Sequence, residues 1–239
     1  MCCNTLKTKA YWTLALGLLA AGVVMLFTYT PVEETMGPIQ KIFYVHLPLA
    51  INTFLAALIV FIASIGYLLQ RQSKWDDLAA AGARVAVLYG AGVLATGIIW
   101  GHSAWGQWWT WSPRLTFSLM LWLLYAVYLI VRGSIESPQR RAAVSAVYGV
   151  AAFLDVPLVW LSAKLLPDIH PSSIQLIAPM RITLALWFLP VTLIAFGLIA
   201  GWYAAARAKN RSGRDTAVPA VRSVIESKVV AQAKVASSF

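Results

Sequence analysis

The chain has 239 residues, 60% of them hydrophobic and only 12% charged, with a mean hydropathy of +0.72 and a formal net charge of +10. A soluble domain is nearer half apolar and a quarter charged, so this composition excludes a soluble globular protein; at about 20 apolar residues per crossing the length allows six or seven spans and no separate soluble domain. The basic excess does not point to nucleic acid, because lysine and arginine of membrane proteins collect on the cytoplasmic side.

In chain order, Cys2 and Cys3 are adjacent, with no C-x-x-C-H or metal spacing. Lys7 and Lys9 precede an uncharged run from Ala10 to Val32. It is longer than a signal-peptide core and lacks a small-residue cleavage site, so it reads as a retained first span, residues 11–29. A polar loop from Pro31 to Lys41 leads through Phe43-Tyr44-Val45-His46-Leu47-Pro48 into a second span, 47–69. The charged turn Gln70–Asp77 separates this from a third span, 83–100, whose Gly90, Gly92 and Gly97 permit close helix approach in lipid.

Trp100 to Thr116 then reads W-G-H-S-A-W-G-Q-W-W-T-W-S-P-R-L-T and holds five of the eleven tryptophans. A fourth span follows at 115–131, then the basic loop Arg132–Arg141, then a fifth span, 142–163, interrupted by Asp155 and Pro157. Pro157 has no N–H, so the carbonyl of Phe153 loses its helix donor and a kink is expected there. Asp155 is a charge within a span; such carboxylates face the protein interior, and structural and proton-handling roles both remain open for it. The polar loop Lys164–Arg181 carries His170 and three prolines, and a sixth span covers 182–206. Residues 207–239 form a polar tail of alternating small, basic and apolar residues, read as disordered or weakly helical. The expected architecture is therefore an all-α membrane protein, a six-transmembrane-helix bundle over residues 1–206 with a cytoplasmic tail.

The charges orient this bundle. With both termini in the cytoplasm, only Lys41, Arg114, Lys164 and Arg181 of the nineteen basic residues fall on the outer side. His46, His102 and His170 then all lie in or beside the outer loops, and the tryptophan stretch joins spans three and four on that same side. His46 and His170 each sit where an outer loop meets a span, and each is followed by a proline or by Leu-Pro. Neutral imidazole is a common iron ligand, so two histidines from separate spans suit the two faces of one haem. Zinc is less well served: Asp168 is the only carboxylate close in sequence, and no cysteine is near.

An aromatic belt accounts for Trp12, Trp75, Trp160 and Trp202, but not readily for Trp100, Trp105, Trp108, Trp109 and Trp111 within twelve residues. If helical, the stretch puts Trp105, Trp108 and Trp109 on one face at i, i+3, i+4, with Trp111 pointing elsewhere. A flat apolar surface of this kind marks binding. Arg114 suits a propionate or, equally, an interfacial snorkelling position.

Trp105 to Thr116 resembles the tryptophan-rich signature of haem-handling proteins of cytochrome c maturation, approximately W-G-x-x-W-x-W-D-x-R-L-T. Together with K-I-F-Y-V-H-L-P at 41–48 and L-P-D-I-H-P at 166–171, it is similar to the cytochrome c maturation protein C, or haem exporter protein C, family over roughly residues 10–205. Ser112 stands where the signature carries aspartate, and no tryptophan pair closely precedes His170; Trp160 is the nearest.

The resemblance implies a multi-pass protein of the bacterial cytoplasmic membrane that is not an enzyme. It implies non-covalent haem b as cargo, held at the outer face by His46 and His170 as axial ligands, with Trp100, Trp105, Trp108, Trp109, Trp111 and Arg114 around it. The implied partners are an extracytoplasmic haem chaperone and the membrane and ATPase subunits of an ABC transporter; the chain itself has neither a P-loop nor a G-x-G-x-x-G. The alternative is a membrane cytochrome c synthase acting directly on apocytochrome. An electron carrier needs histidines at both membrane faces, and an ion-coupled transporter needs more midplane polar groups than Asp155.

Overall fold

The computed structural model describes the backbone of residues 2–166, 169–170 and 175–236, and the side chains of 7–162, 164–166, 169–170 and 175–212. Asp168 and the side chains of Cys2 and Cys3 lie outside it. The described chain is helical: α1 (Cys2–Thr28), α2 (Phe43–Gln70, entered through a 3₁₀ turn at Pro38–Ile42), α3 (Ser73–Trp105), α4 (Pro113–Ser134), α5 (Pro138–Ala152), α6 (Asp155–Leu165) and α7 (Ala178–Ala236). Six helical segments are long and apolar enough to cross a membrane: Lys7–Thr28, Pro38–Gln70, Ser73–Trp105, Pro113–Ser134, Pro138–Ser162 and Ala178–Ser212. The chain is a multi-pass membrane protein with the six spans read from the sequence.

Helices α2 and α3 form the central pair. Their approach is close where α3 carries glycine: a methyl on Gly92 would meet Leu49 Cδ1 at 3.0 Å, and one on Gly90 would meet Trp122 of α4 at the same distance. Small residues at such crossings let dispersion contacts replace the hydrophobic effect, which is missing in lipid. On one flank α1 packs against α7, where Trp187 Nε1 donates to the Gly22 carbonyl at 3.1 Å and the Thr30 and Thr183 hydroxyls share a hydrogen bond. Tyr89 of α3 donates its buried hydroxyl to the carbonyl of Val191 on α7 at 2.8 Å.

The end of the bundle opposite the tryptophan stretch is fastened by ions. Arg132, in the last turn of α4, grips both carboxylate oxygens of Asp76 in the first turn of α3. Asp77 accepts from Asn210 Nδ2 at 3.0 and 2.9 Å, and Arg207 donates to Ser73 Oγ at 3.1 Å. These contacts fall beyond residue 206, where the sequence suggests a tail. The helix does not end there but runs on to Ala236, and its first turns past 206 are tied to the start of α3.

One boundary differs from the sequence reading for a clear local reason, and one expected break is seen. The second span begins before residue 47, because Pro38, at the N-terminal position a missing N–H suits, starts a 3₁₀ turn that runs directly into α2. His46 therefore lies on the first turn of a helix rather than at a loop junction. The fifth span is broken where Pro157 demands it. α5 ends at Ala152, and the Phe153 carbonyl accepts instead from Val156 N at 3.0 Å before α6 resumes at Asp155. Asp155 is buried at this break (3% exposed), and neither carboxylate oxygen has a hydrogen-bond partner among the described residues.

Candidate functional site

The tryptophan stretch is not one helix. α3 ends at Trp105 because Gly106 adopts φ +72°, the left-handed conformation that a residue without Cβ takes at no steric cost. Its N–H closes the last turn onto the His102 carbonyl at 2.9 Å. Residues 107–112 are then irregular until Pro113 opens α4 at its first position. The proposed i, i+3, i+4 face of Trp105, Trp108 and Trp109 is thereby corrected: the reversal at Gly106 separates Trp108 from the other two rings.

Below this loop lies an apolar cavity of about 1030 Å³, counting its mouth, between α2, α3 and α4. His46, His170, Trp100, Trp105, Trp109 and Arg114 line its upper part, and the cavity continues down to Phe54, Leu121 and Trp122. Trp100 is buried (3% exposed) and touches both histidines, with ring centroids 6.3 Å from His46 and 6.1 Å from His170; Trp105 stands edge-on to His170 at 6.4 Å. Two of the eight residues picked out by sequence lie elsewhere. Trp108 (61% exposed) stacks on His102 at 3.9 Å, and Trp111 (75% exposed) stands edge-on to Trp109 at 5.8 Å. Both face a separate apolar groove with Leu94, Ile98 and Leu119, and Trp109 lines groove and cavity alike.

The histidine on α2 is held by a residue the sequence did not single out. His46 Nδ1 lies 2.9 Å from Thr96 Oγ1 on α3. The single hydroxyl hydrogen of Thr96 already goes to a helix carbonyl, Gly92 at 2.7 Å or Val93 at 3.2 Å. Thr96 can therefore only accept from the ring, which puts the imidazole hydrogen on Nδ1 and leaves the Nε2 lone pair available. Such a partner on the far nitrogen is the arrangement that orients metal-ligating histidines. Gly97 makes room for it, since a Cβ there would stand 3.2 Å from His46 Cε1. The only sequence signal for this pair is a threonine next to a glycine on the third span, at helical spacing below Trp100. Its partner lies fifty residues away.

His170 sits across Trp100, with its Nδ1 3.3 Å from Arg114 Nη1. Four buried polar side-chain atoms, Trp100 Nε1 on α3 and Trp109 Nε1, Thr110 Oγ1 and Ser112 Oγ in the loop, have no partner among the described residues. Buried donors of this kind are seldom left unpaired. An apolar cavity rimmed by unpaired donors, an arginine and two imidazoles fits a flat apolar ligand with carboxylates at one edge and a metal at its centre. Haem has that chemistry.

These features define a class: a multi-pass helical membrane protein with a deep apolar ligand cavity flanked by histidines at one end of the bundle. The sequence model of the family described as Heme exporter protein C matches residues 2–219, and the chain belongs to that family. It is 37% identical over 136 residues to the Heme exporter protein C of Rhodobacter capsulatus, covering 55% of each chain. It is 28% identical over 180 residues to that of Bradyrhizobium diazoefficiens, covering 72% of this chain and 68% of the relative. For the Escherichia coli protein of the same name the identity is 27% over 161 residues, covering 66% of this chain and 65% of the relative. The match to the Rhodobacter relative thus spans about half of that protein's length.

Proposed function

We propose that the protein binds haem b non-covalently in the cavity, between His46 and His170, and delivers it to an extracytoplasmic haem chaperone during c-type cytochrome biogenesis. The observation that carries this reading is the His46–Thr96 pair: a half-buried imidazole whose Nδ1 is engaged by a hydroxyl on α3, which leaves Nε2 to the apolar cavity it lines. Trp100, Trp105 and Trp109 supply flat contact area, and Arg114 a carboxylate partner. Trp108 and Trp111 serve as an exposed apolar surface beside the mouth rather than as part of the haem cavity. The positive-inside bias supports an orientation with this end of the bundle outside and both termini in the cytoplasm, in a bacterial inner membrane. Its partners are the membrane and ATPase subunits of an ABC transporter, as the family's exporter name suggests.

The test loads the protein with haem in lipid nanodiscs, mixes it with a soluble haem chaperone, separates the two and reads haem absorbance in each fraction. Haem moves to the chaperone from the wild type. Haem retained by the nanodiscs contradicts delivery. Covalent haem on an added apocytochrome with no chaperone present favours the synthase reading instead.

A further inference from the structure

At the end of the bundle away from the histidines, an open cleft of about 1860 Å³, counting its mouth, lies between the α2–α3 turn, the start of α5 and the stretch of α7 just past residue 206. Five cations line it: Arg71, Lys74, Arg141, Arg207 and Lys209. Two carboxylates line it as well, and both are already engaged. Asp76 is gripped by Arg132, which is not part of the lining, and Asp77 accepts twice from Asn210, with Arg207 Nη1 3.7 Å away. Among the described residues, no carboxylate lies within ion-pair distance of Arg71, Lys74, Arg141 or Lys209. Arg71 stands over the Tyr67 ring and Lys74 over the Trp75 ring, at 5.8 and 5.3 Å from the centroids. Arg141 Nε is buried and has no hydrogen-bond partner among the described residues. Like charges gathered in one concave site repel each other, and a buried donor is seldom left unpaired. An anion with several acceptor oxygens in the cleft relieves both.

The depth of the cleft says where that anion comes from. Its walls are the ends of four membrane-crossing segments, Pro38–Gln70, Ser73–Trp105, Pro138–Ser162 and Ala178–Ser212. Trp75, whose Nε1 donates to Gln70 Oε1 at 3.0 Å, is an interfacial tryptophan at the same level. Phospholipid headgroups lie at that level, and basic pockets between helices on the cytoplasmic side suit anionic ones. We propose that this cleft binds the phosphate of one anionic phospholipid, with Arg71, Lys74, Arg141 and Lys209 supplying the charge, and that the lipid ties the extension of α7 to the α2–α3 turn and to α5. A zwitterionic headgroup is the poorer ligand, because its ammonium adds a further positive charge to these four. The site is independent of the haem reading.

The test is native mass spectrometry of the full chain in detergent, titrated separately with phosphatidylglycerol, phosphatidylcholine and inorganic phosphate. Each cation near a headgroup contributes roughly a fivefold factor in affinity. The wild type should bind one phosphatidylglycerol more tightly than phosphatidylcholine by more than that factor. Arg71→Gln, Arg141→Gln and Lys209→Gln should each weaken phosphatidylglycerol roughly fivefold and leave phosphatidylcholine unchanged. Arg140→Gln removes an exposed cation that neighbours the cleft without lining it, and should change neither. Thermal unfolding in phosphatidylcholine checks that the variants fold; Arg71 and Lys209 are exposed, so their variants carry the test if Arg141→Gln does not fold. Phosphatidylglycerol should raise the unfolding temperature of the wild type more than that of Lys209→Gln. Equal affinity for the two lipids overturns the proposal. Equal losses in Arg140→Gln and Arg141→Gln also overturn it, since the attraction is then a diffuse surface charge. Binding of inorganic phosphate with the same pattern of losses, and no preference between the lipids, assigns the cleft to a free anion and overturns the lipid.

Discussion

Replacing Thr96 by valine keeps a β-branched side chain on α3 and removes the hydroxyl partner of His46 Nδ1. Two estimates of the cost agree. A buried donor left without a partner costs about 1–3 kcal/mol, equivalent to about 5- to 150-fold in a dissociation constant. Loss of the partner behind a metal-ligating histidine weakens metal affinity by roughly 10–100-fold. Thr96→Val should therefore raise the haem Kd about 10- to 100-fold, while Thr96→Ser, which keeps the hydroxyl, stays within about threefold, less than one weak neutral hydrogen bond. The assay is equilibrium titration of haem into nanodisc-embedded protein, followed at the Soret band. Wild-type affinity in Thr96→Val, alongside a clear loss in His46→Ala, would refute the claim that Thr96 sets the tautomer of His46.

Gly97→Ala puts a methyl 3.2 Å from His46 Cε1 and forces the ring to shift by a few tenths of an ångström; haem affinity in the same titration should fall several-fold, and Gly97→Val should abolish binding. Trp109→Leu should weaken haem binding, because Trp109 lines the cavity, whereas Trp108→Leu should leave it unchanged; equal losses would restore the single aromatic face. Removing one partner of the largely buried Arg132–Asp76 pair costs about 3–5 kcal/mol, while replacing both with apolar residues is close to neutral. Thermal unfolding in detergent should thus show Asp76→Leu well below the wild type and Asp76→Leu with Arg132→Met substantially recovered. Additive losses in the double variant would contradict the pairing.

The six spans are legible because each is a long apolar run set off by charged or polar turns, a signal that depends on local composition alone. The break in the fifth span is legible for a similar reason: the missing N–H of Pro157 acts within four residues. The extent of the tryptophan platform is not. Trp105, Trp108 and Trp109 fall on one face only if the helix continues, and Gly106 ends it one residue after Trp105. The clustering of tryptophan is therefore visible in the sequence, while the split between a cavity-facing set (Trp100, Trp105, Trp109) and an exposed pair (Trp108, Trp111) depends on a single φ angle. The His46–Thr96 and Arg114–His170 pairs join residues 50 and 56 positions apart. Nothing local marks Thr96 as different from other helix threonines, because only the packing of α2 on α3 brings it to the ring. The ion pairs at the opposite end are hidden for the same reason: charge counting assigns Arg132, Asp76 and Arg207 to one side without pairing them.

Low-temperature electron paramagnetic resonance of the ferric haem-loaded protein tests the central claim most directly. The wild type should give the low-spin signal of an iron held by two imidazoles, and His46→Ala and His170→Ala should each lose it. A bis-imidazole signal that survives both single substitutions would contradict the assignment of haem to the cavity between His46 and His170.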